Sequence, residues 1–376
     1  MIIFFRFQNY YSFRHNTLIN LQAGIYKEHP DHLAKNSKGN LLKTLAIYGP
    51  NSSGKTRLIE AIAFFCCFIR RQLGFFFPFP PENCLNPQFS LIQEAFHYPE
   101  TSLAPLSMSM AFSHCGFQFE YGFTLEHSSV TEEYFLCDGT LLFQKSGETL
   151  TPGKSVRNLF KKNTFFKTSG SGLAFLFSWS FLPCQEALSA FADFFQNRIL
   201  FFPNRILFLP QPFSGPFSIR ELLSQEEKKR FIFRHLKALD LPCSSQALSA
   251  SSPATGLHKT ILFLDCLFRL PPHGGVLLSD DFTAFLHPNI SQYLIRLFQG
   301  PENHSRQLIF TTHDTALLNR KQFRRDEAAM VNLDSKGCSR IHTLADIHIR
   351  FDASFAKDYL SGKYGNLPIW EEEEQS

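Results

Sequence analysis

Apolar and β-prone residues dominate 2–8 and recur over 17–22, and the polar turn Arg14, His15, Asn16 separates the two segments. Two strands are predicted there. The short apolar run 45–48 predicts a buried strand, and a loop over 49–55 follows it. From about residue 56 to 71 the period is that of a helix. Leu58, Ile59, Ile62, Phe65 and Ile69 fall near one face, and Arg70 and Arg71 suit the negative C-terminal end. Residues 74–105 are rich in Pro and predict an irregular connection between lobes. Over 106–145 apolar and polar residues alternate in segments, with turn signals at Cys115, Gly116 and at Asp138, Gly139, so an antiparallel meander is expected.

From about 155 to 250 the pattern reads as mainly helical with Pro-rich breaks. The clearest helix is 218–239, where the charge run from Glu226 to Arg230 predicts a solvated face. Beyond 255 a helix is expected over 258–268, then buried strands at 276–278, 308–311 and 330–333. The acidic run 371–374 predicts a disordered end. Neither internal repeats nor sustained heptads occur, which argues against a long coiled-coil arm. The succession is α/β.

Composition narrows the class. Hydrophobic residues make up 44% and charged residues 19%, a globular balance. The 44 Phe occur in clusters such as Phe75, Phe76 and Phe77 without interleaved basic residues, which suits a Phe-packed core better than a base-stacking platform. A net charge of +4 is too small to imply nucleic acid or an anionic membrane. The nine Cys show no C-x-x-C spacing and the 14 His no paired spacing, so buried thiols in a reducing compartment are expected, not disulfides or zinc. The apolar runs 61–69 and 172–181 are too short to span a bilayer, and residues 1–6 lack a basic leader region. A soluble cytoplasmic protein is expected.

Gly49, Pro50, Asn51, Ser52, Ser53, Gly54, Lys55 and Thr56 fit G-x-x-x-x-G-K-[ST]. In this pattern successive backbone N–H groups form a nest for phosphate oxygens, and the following helix aims its positive end at the anion. Lys55 is expected to reach the β- and γ-phosphates, and the Thr56 hydroxyl to hold magnesium. The strand before and helix after place the motif in its required context. Such a loop needs a carboxylate at the end of a neighbouring buried strand. Asp280 is the candidate metal ligand, and Asp281 is placed to orient or deprotonate the attacking water. A third segment, 307–314, is a strand ending in His313, expected at the sheet's C-terminal edge beside the γ-phosphate.

Together these residues resemble the ATPase heads of the RecF, SMC and OLD type. Residues 49–56 look like Walker A and 276–281 like Walker B. Leu286, His287 and Pro288 resemble the "LHP" string at the D-loop position, and His313 resembles the switch histidine of ABC-type ATPases. The opening Asn9, Tyr10, Tyr11, Ser12, Phe13 is similar to "NFRSF". Segments 323–326 and 359–368 resemble the C-terminus of the stand-alone prokaryotic AAA/ABC-like ATPases, some of which are encoded beside RloB-type TOPRIM nucleases in abortive-infection systems.

The resemblance implies a P-loop NTPase of ABC-ATPase-head type over 1–376, a mixed sheet with an antiparallel β subdomain and a helical insertion. An N-terminal lobe, 1–150, would carry Walker A and the meander. The insertion would cover 151–255, and a C-terminal lobe, 256–376, would carry Walker B and His313. It implies ATP and Mg2+, a homodimer closed through ATP, and a separate nuclease as partner. Nucleic acid is a further candidate partner. The chain departs from the pattern at two places. The signature candidate 252–255 has Ser251 where relatives carry Glu and Ala254 where they carry Gly, adding a Cβ where backbone should approach phosphate. Asp281 stands where relatives usually have Glu, and the shorter acid implies slow hydrolysis. Two functions remain open: an ATPase, and an ATP-gated binding module with negligible turnover.

Overall fold

The computed structural model describes residues 1–37, 39–74, 104–126, 129–157, 166–168, 170–178, 184–202, 224–243, 255–347, 349 and 353–365. The 251–254 part of the signature candidate, the 75–103 Pro-rich stretch, 218–223 and the 371–374 tail lie outside these residues.

Two sheets flank one long helix. The first is antiparallel, in the order β11-β10-β9-β8-β7-β6-β1-β2. It joins β1 (Ile2–Gln8) and β2 (Thr17–Asn20) to the meander β6 (Leu106–His114), β7 (Phe117–Glu126), β8 (Ser129–Cys137) and β9 (Thr140–Ser146). The short β10 (Thr149–Pro152) and β11 (Phe166–Lys167) complete that sheet, and β3 (Leu33–Ala34) pairs separately with β4 (Leu41–Leu42).

The second sheet has the order β12-β13-β14-β5-β15-β16. β12 (Ile199–Phe202), β13 (Gly275–Ser279), β14 (Arg306–Thr311), β5 (Thr44–Tyr48) and β15 (Ala328–Leu333) are parallel, and β16 (Ser339–Thr343) closes the edge antiparallel. This is the layout the head resemblance implies, a mixed sheet beside an antiparallel one with helices inserted.

Buried on both faces, the parallel strands read as continuous apolar runs. Their alternation divides two cores. Leu45, Ile47, Val276, Leu278, Ile309 and Val331 face the side of the first sheet. Ala46, Leu277, Leu308, Phe310 and Met330 face the helices Glu226–Ala238, Thr255–Arg269 and Pro288–Gln299. The helix Lys55–Gln72 lies between the sheets and is buried on most sides. Its Phe65 stacks on Phe123 at 5.5 Å and meets Phe5 and Phe195 edge-on or tilted, while Phe68 lies 4.0 Å from Phe123. The abundant Phe of the described residues serve this core, as the clustering implies.

Three features differ from the sequence reading. Ile199–Phe202, inside the stretch read as mainly helical, is a strand, because four apolar residues suit either state and pairing with β13 decides. The acidic strand does not neighbour β5, since β14 lies between them. Finally, the charge run of Glu226–Ala238 is not wholly solvated. Lys228 is buried and pairs at 2.9 Å with the fully buried Asp265 of the facing helix.

Candidate functional site

Because β5, β13 and β14 are parallel, their C-terminal ends open on one edge, where ligands bind in open α/β sheets. The loop 49–54 leaves β5 there, Asp280 and Asp281 leave β13, and Thr312 and His313 leave β14. Gly54 sits at φ +105°, and a Cβ on it would lie 2.5 Å from Ser339 Oγ and 3.0 Å from Phe13. Only Gly is tolerated at such a turn. The buried Ser339 fixes the loop from beneath: its hydroxyl donates to Ser53 O at 2.6 Å and accepts from the Ser12 hydroxyl at 2.7 Å, and its N–H donates to Ser12 O. The opening segment around Ser12 is thereby part of the loop's support.

Lys55 is buried at the first position of the central helix, and its ammonium donates to Gly49 O at 2.9 Å and Pro50 O at 2.8 Å. Burial lowers its pKa to about 8, against the opposing pull of Asp280 and Asp281. Thr56 Oγ1 donates to Asp280 Oδ2 at 2.8 Å. Thr311 Oγ1 donates to Asp280 Oδ1 at 2.6 Å and accepts from Asp281 N at 2.7 Å. One carboxylate thus joins the loop to the two strands beside it. The Asp281 backbone lies in the left-handed region, φ +46°, a conformation Asp tolerates better than most residues. His313 stands at the rim, where partial burial first and Lys55 second lower its pKa, favouring the neutral ring at pH 7.

These groups line a cleft of about 500 Å³ that also includes Asn51, Ser52, Tyr11, Ser12 and Arg57. The Pro50 and Ser53 carbonyls accept from Lys55 and Ser339 behind it, and the Ser53 hydroxyl is buried without a hydrogen-bond partner among the described residues. The Arg57 guanidinium packs 4.1 Å over the Tyr11 ring and bonds the buried Glu60 at 2.6 Å. Thr56 and Asp280 offer neighbouring oxygen ligands, the donor set a hard divalent cation such as magnesium prefers. Of the sequence candidates, the structure brings together the loop 49–56, Asp280, Asp281 and His313. His287 caps the Pro288–Gln299 helix, its ring nitrogen accepting from Asn289 N at 3.2 Å, a local role for the "LHP" string.

Sequence reasoning did not single out Thr311, Ser339 or Lys259. Lys259 is buried beneath the Asp281 turn, where its ammonium donates to Asp281 O and Ala284 O at 3.0 Å each. The hydroxyls Thr311 and Thr312 preceding His313 were the one local signal for the first of these. A separate group, His15, Asp334 and Cys338, has ligand-type atoms within 4.8 Å of one another, a closeness that spacing along the chain does not reveal. Asp334 there already accepts the N–H groups of Lys336 and Cys338, which closes a turn.

Residues 156–319 match a family described as "AAA domain, putative AbiEii toxin, Type IV TA system". The match covers less than half of the chain; it includes Asp280, Asp281 and His313 and begins after the 49–56 loop. No curated protein matches. Among solved structures, the chain is similar to the "SMC head domain from Thermotoga maritima", at 15% identity and TM-score 0.45, covering 93% of this chain and 99% of that one. It is also similar to an SMC head bound to the C-terminal winged-helix domain of ScpA, at 11% identity and TM-score 0.44, covering 91% and 97%. Among the described residues no helix is long and apolar enough to cross a membrane.

Proposed function

We propose that the chain binds ATP with magnesium in the cleft over the 49–56 loop and hydrolyses it, closing a homodimer through the nucleotide. The observation that carries this reading is Asp280, whose carboxylate is held by Thr56 and Thr311 at the mouth of the Lys55 loop. Backbone N–H groups of 51–56 and Lys55 would hold the phosphates, with Thr56 and Asp280 holding the metal. Bound there, magnesium supplies positive charge against the β- and γ-phosphate oxygens. Asp281 would orient and deprotonate the attacking water, and neutral His313 would contact the γ-phosphate. Catalysis of this kind is mainly positioning and electrostatics.

The family matched over 156–319 supports a role in a toxin–antitoxin or phage-defence system, and the head resemblance supports a separate nuclease or nucleic acid as the partner. All eight described cysteines are free, which favours the cytoplasm. One observation favours the second reading, an ATP-gated module with negligible turnover: the shorter acid Asp281 sits on left-handed backbone, which constrains its reach.

The test is phosphate release with magnesium and ATP, compared between wild type and Lys55→Ala, with sedimentation measured in parallel. Release that disappears in the variant, and a dimer formed only with ATP, are expected. An ATP-dependent dimer without release would support the second reading. Release equal in both proteins would sink the assignment of the cleft.

A further inference from the structure

The turn that presents Asp281 is stitched from three sides. β14 holds it through Thr311, whose hydroxyl accepts from Asp281 N at 2.7 Å and whose carbonyl accepts from Phe282 N at 2.9 Å. Thr312 and Thr283 share a hydroxyl hydrogen bond at 2.7 Å. The turn also closes on itself, since Ala284 N donates to Asp281 O and Leu286 N to Thr283 O.

The third side is the helix Thr255–Arg269. It approaches closely enough that a Cβ on Gly256 would lie 2.8 Å from Phe285 O. One turn further along, the Lys259 ammonium donates to both Asp281 O and Ala284 O, the carbonyls of two residues of the turn, of which Asp281 is left-handed. Lys259 is 7% exposed, so these bonds form out of water, where an ammonium with carbonyl partners is well held and one without them is costly. Left-handed backbone at a non-Gly residue persists only when its surroundings over-determine it. Lys259 is the charged group that does so here.

We infer that Lys259 is a positioning residue: its ammonium clamps the 281–284 turn and so aims the Asp281 carboxylate at the phosphate cleft, tying that aim to the placement of the Thr255–Arg269 helix. This rests on the proposed role of Asp281 in ATP hydrolysis. Lys259 touches neither the loop 49–56 nor the Asp280 carboxylate in any hydrogen bond described above. The Lys259 charge also acts on the Asp281 and Asp280 carboxylates, so loss of the clamp is read as a fall in turnover larger than any change in nucleotide affinity. A shift of the helix start, four residues before Lys259, would be transmitted to Asp281 through the same two bonds and through the Gly256 contact.

The experiment uses the full chain and the variants Lys259→Met and Lys259→Arg, with Lys259→Gln standing in where the Met variant does not fold. Two quantities are read: hydrogen–deuterium exchange without nucleotide, and ATP hydrolysis alongside ATP affinity. In Lys259→Met, exchange over 281–286 is expected to quicken by about tenfold, with 49–56 unchanged, as expected for a broken tertiary clamp. Turnover is expected to fall by about a hundredfold, the scale of a misplacement near 1 Å, with ATP affinity within about threefold of wild type. Lys259→Arg, which keeps a charged donor, is expected to recover part of both.

Unchanged exchange over 281–286 overturns the inference. So does quickened exchange with turnover intact, which leaves Lys259 merely structural, and so does an equal loss of affinity and turnover. Wild type without Lys55-dependent turnover overturns the hydrolytic role given to Asp281 and this inference with it. Lys55-dependent turnover that Lys259→Met leaves intact overturns only the role of Lys259.

Discussion

Asp280 and Asp281 are adjacent in sequence and both line the cleft, but they are held in place differently. Asp280 accepts two hydroxyls and is fixed between loop and strand. Asp281 is held through its backbone, by Thr311 and Lys259, on a left-handed turn. Asp281→Asn keeps that geometry and removes the base, so turnover should fall by about 10²–10⁴-fold, with ATP affinity within about threefold. Parallel loss of affinity, or turnover unchanged, would contradict the role given to it. Asp281→Glu lengthens the acid but places a residue less tolerant of positive φ there, so it changes reach and backbone strain together. The motif string pointed to Asp280, whose carboxylate meets Thr56, while Lys259 and Ser339 were illegible because the groups they hold lie far away in sequence.

At the scale of elements, the helices on the outer face of the mixed sheet are joined by charge as well as by apolar packing. Lys228 of Glu226–Ala238 reaches Asp265 of Thr255–Arg269 at 2.9 Å, and Arg269 reaches the same carboxylate at 2.8 Å. Asp265 is fully buried but keeps Arg269 when Lys228 is removed, so Lys228→Met should destabilise the fold by about 1–3 kcal/mol in chemical denaturation. Adding Asp265→Leu should recover most of that loss, because two apolar residues need no compensation. Full destabilisation in the double variant would mean that the contact is packing and not charge.

The same pair shows why the solvated-face expectation failed for one residue. A charge run says nothing about a buried acid on a helix still to come. By contrast, 45–48, 276–278, 308–311 and 330–333 were legible as strands because burial on both faces leaves a continuous apolar run. The meander was legible because one-sided burial leaves alternation. The polar strand Ser339–Thr343 had no such signature; pairing with β15 creates it.

Taken whole, the molecule places the 49–54 loop at the start of the helix that lies between two sheets. The central helix runs from the loop into the Phe-rich core of the antiparallel sheet, and the loop itself is braced by Ser12 and Ser339 from opposite ends of the chain. Residues 9–13 and 339–343 therefore report on the state of the loop although neither carries a phosphate-binding motif. The helix Thr255–Arg269 bears on Asp281 in the same way from the other side.

The central claim is that ATP is held by this loop. Titration of ATP with magnesium into the wild type and into Lys55→Ala tests it most directly. Saturable binding to the wild type is predicted, weakened in the variant by about 2–5 kcal/mol for loss of a buried charged partner. Absence of binding to the wild type, or equal affinity in both, would contradict the account.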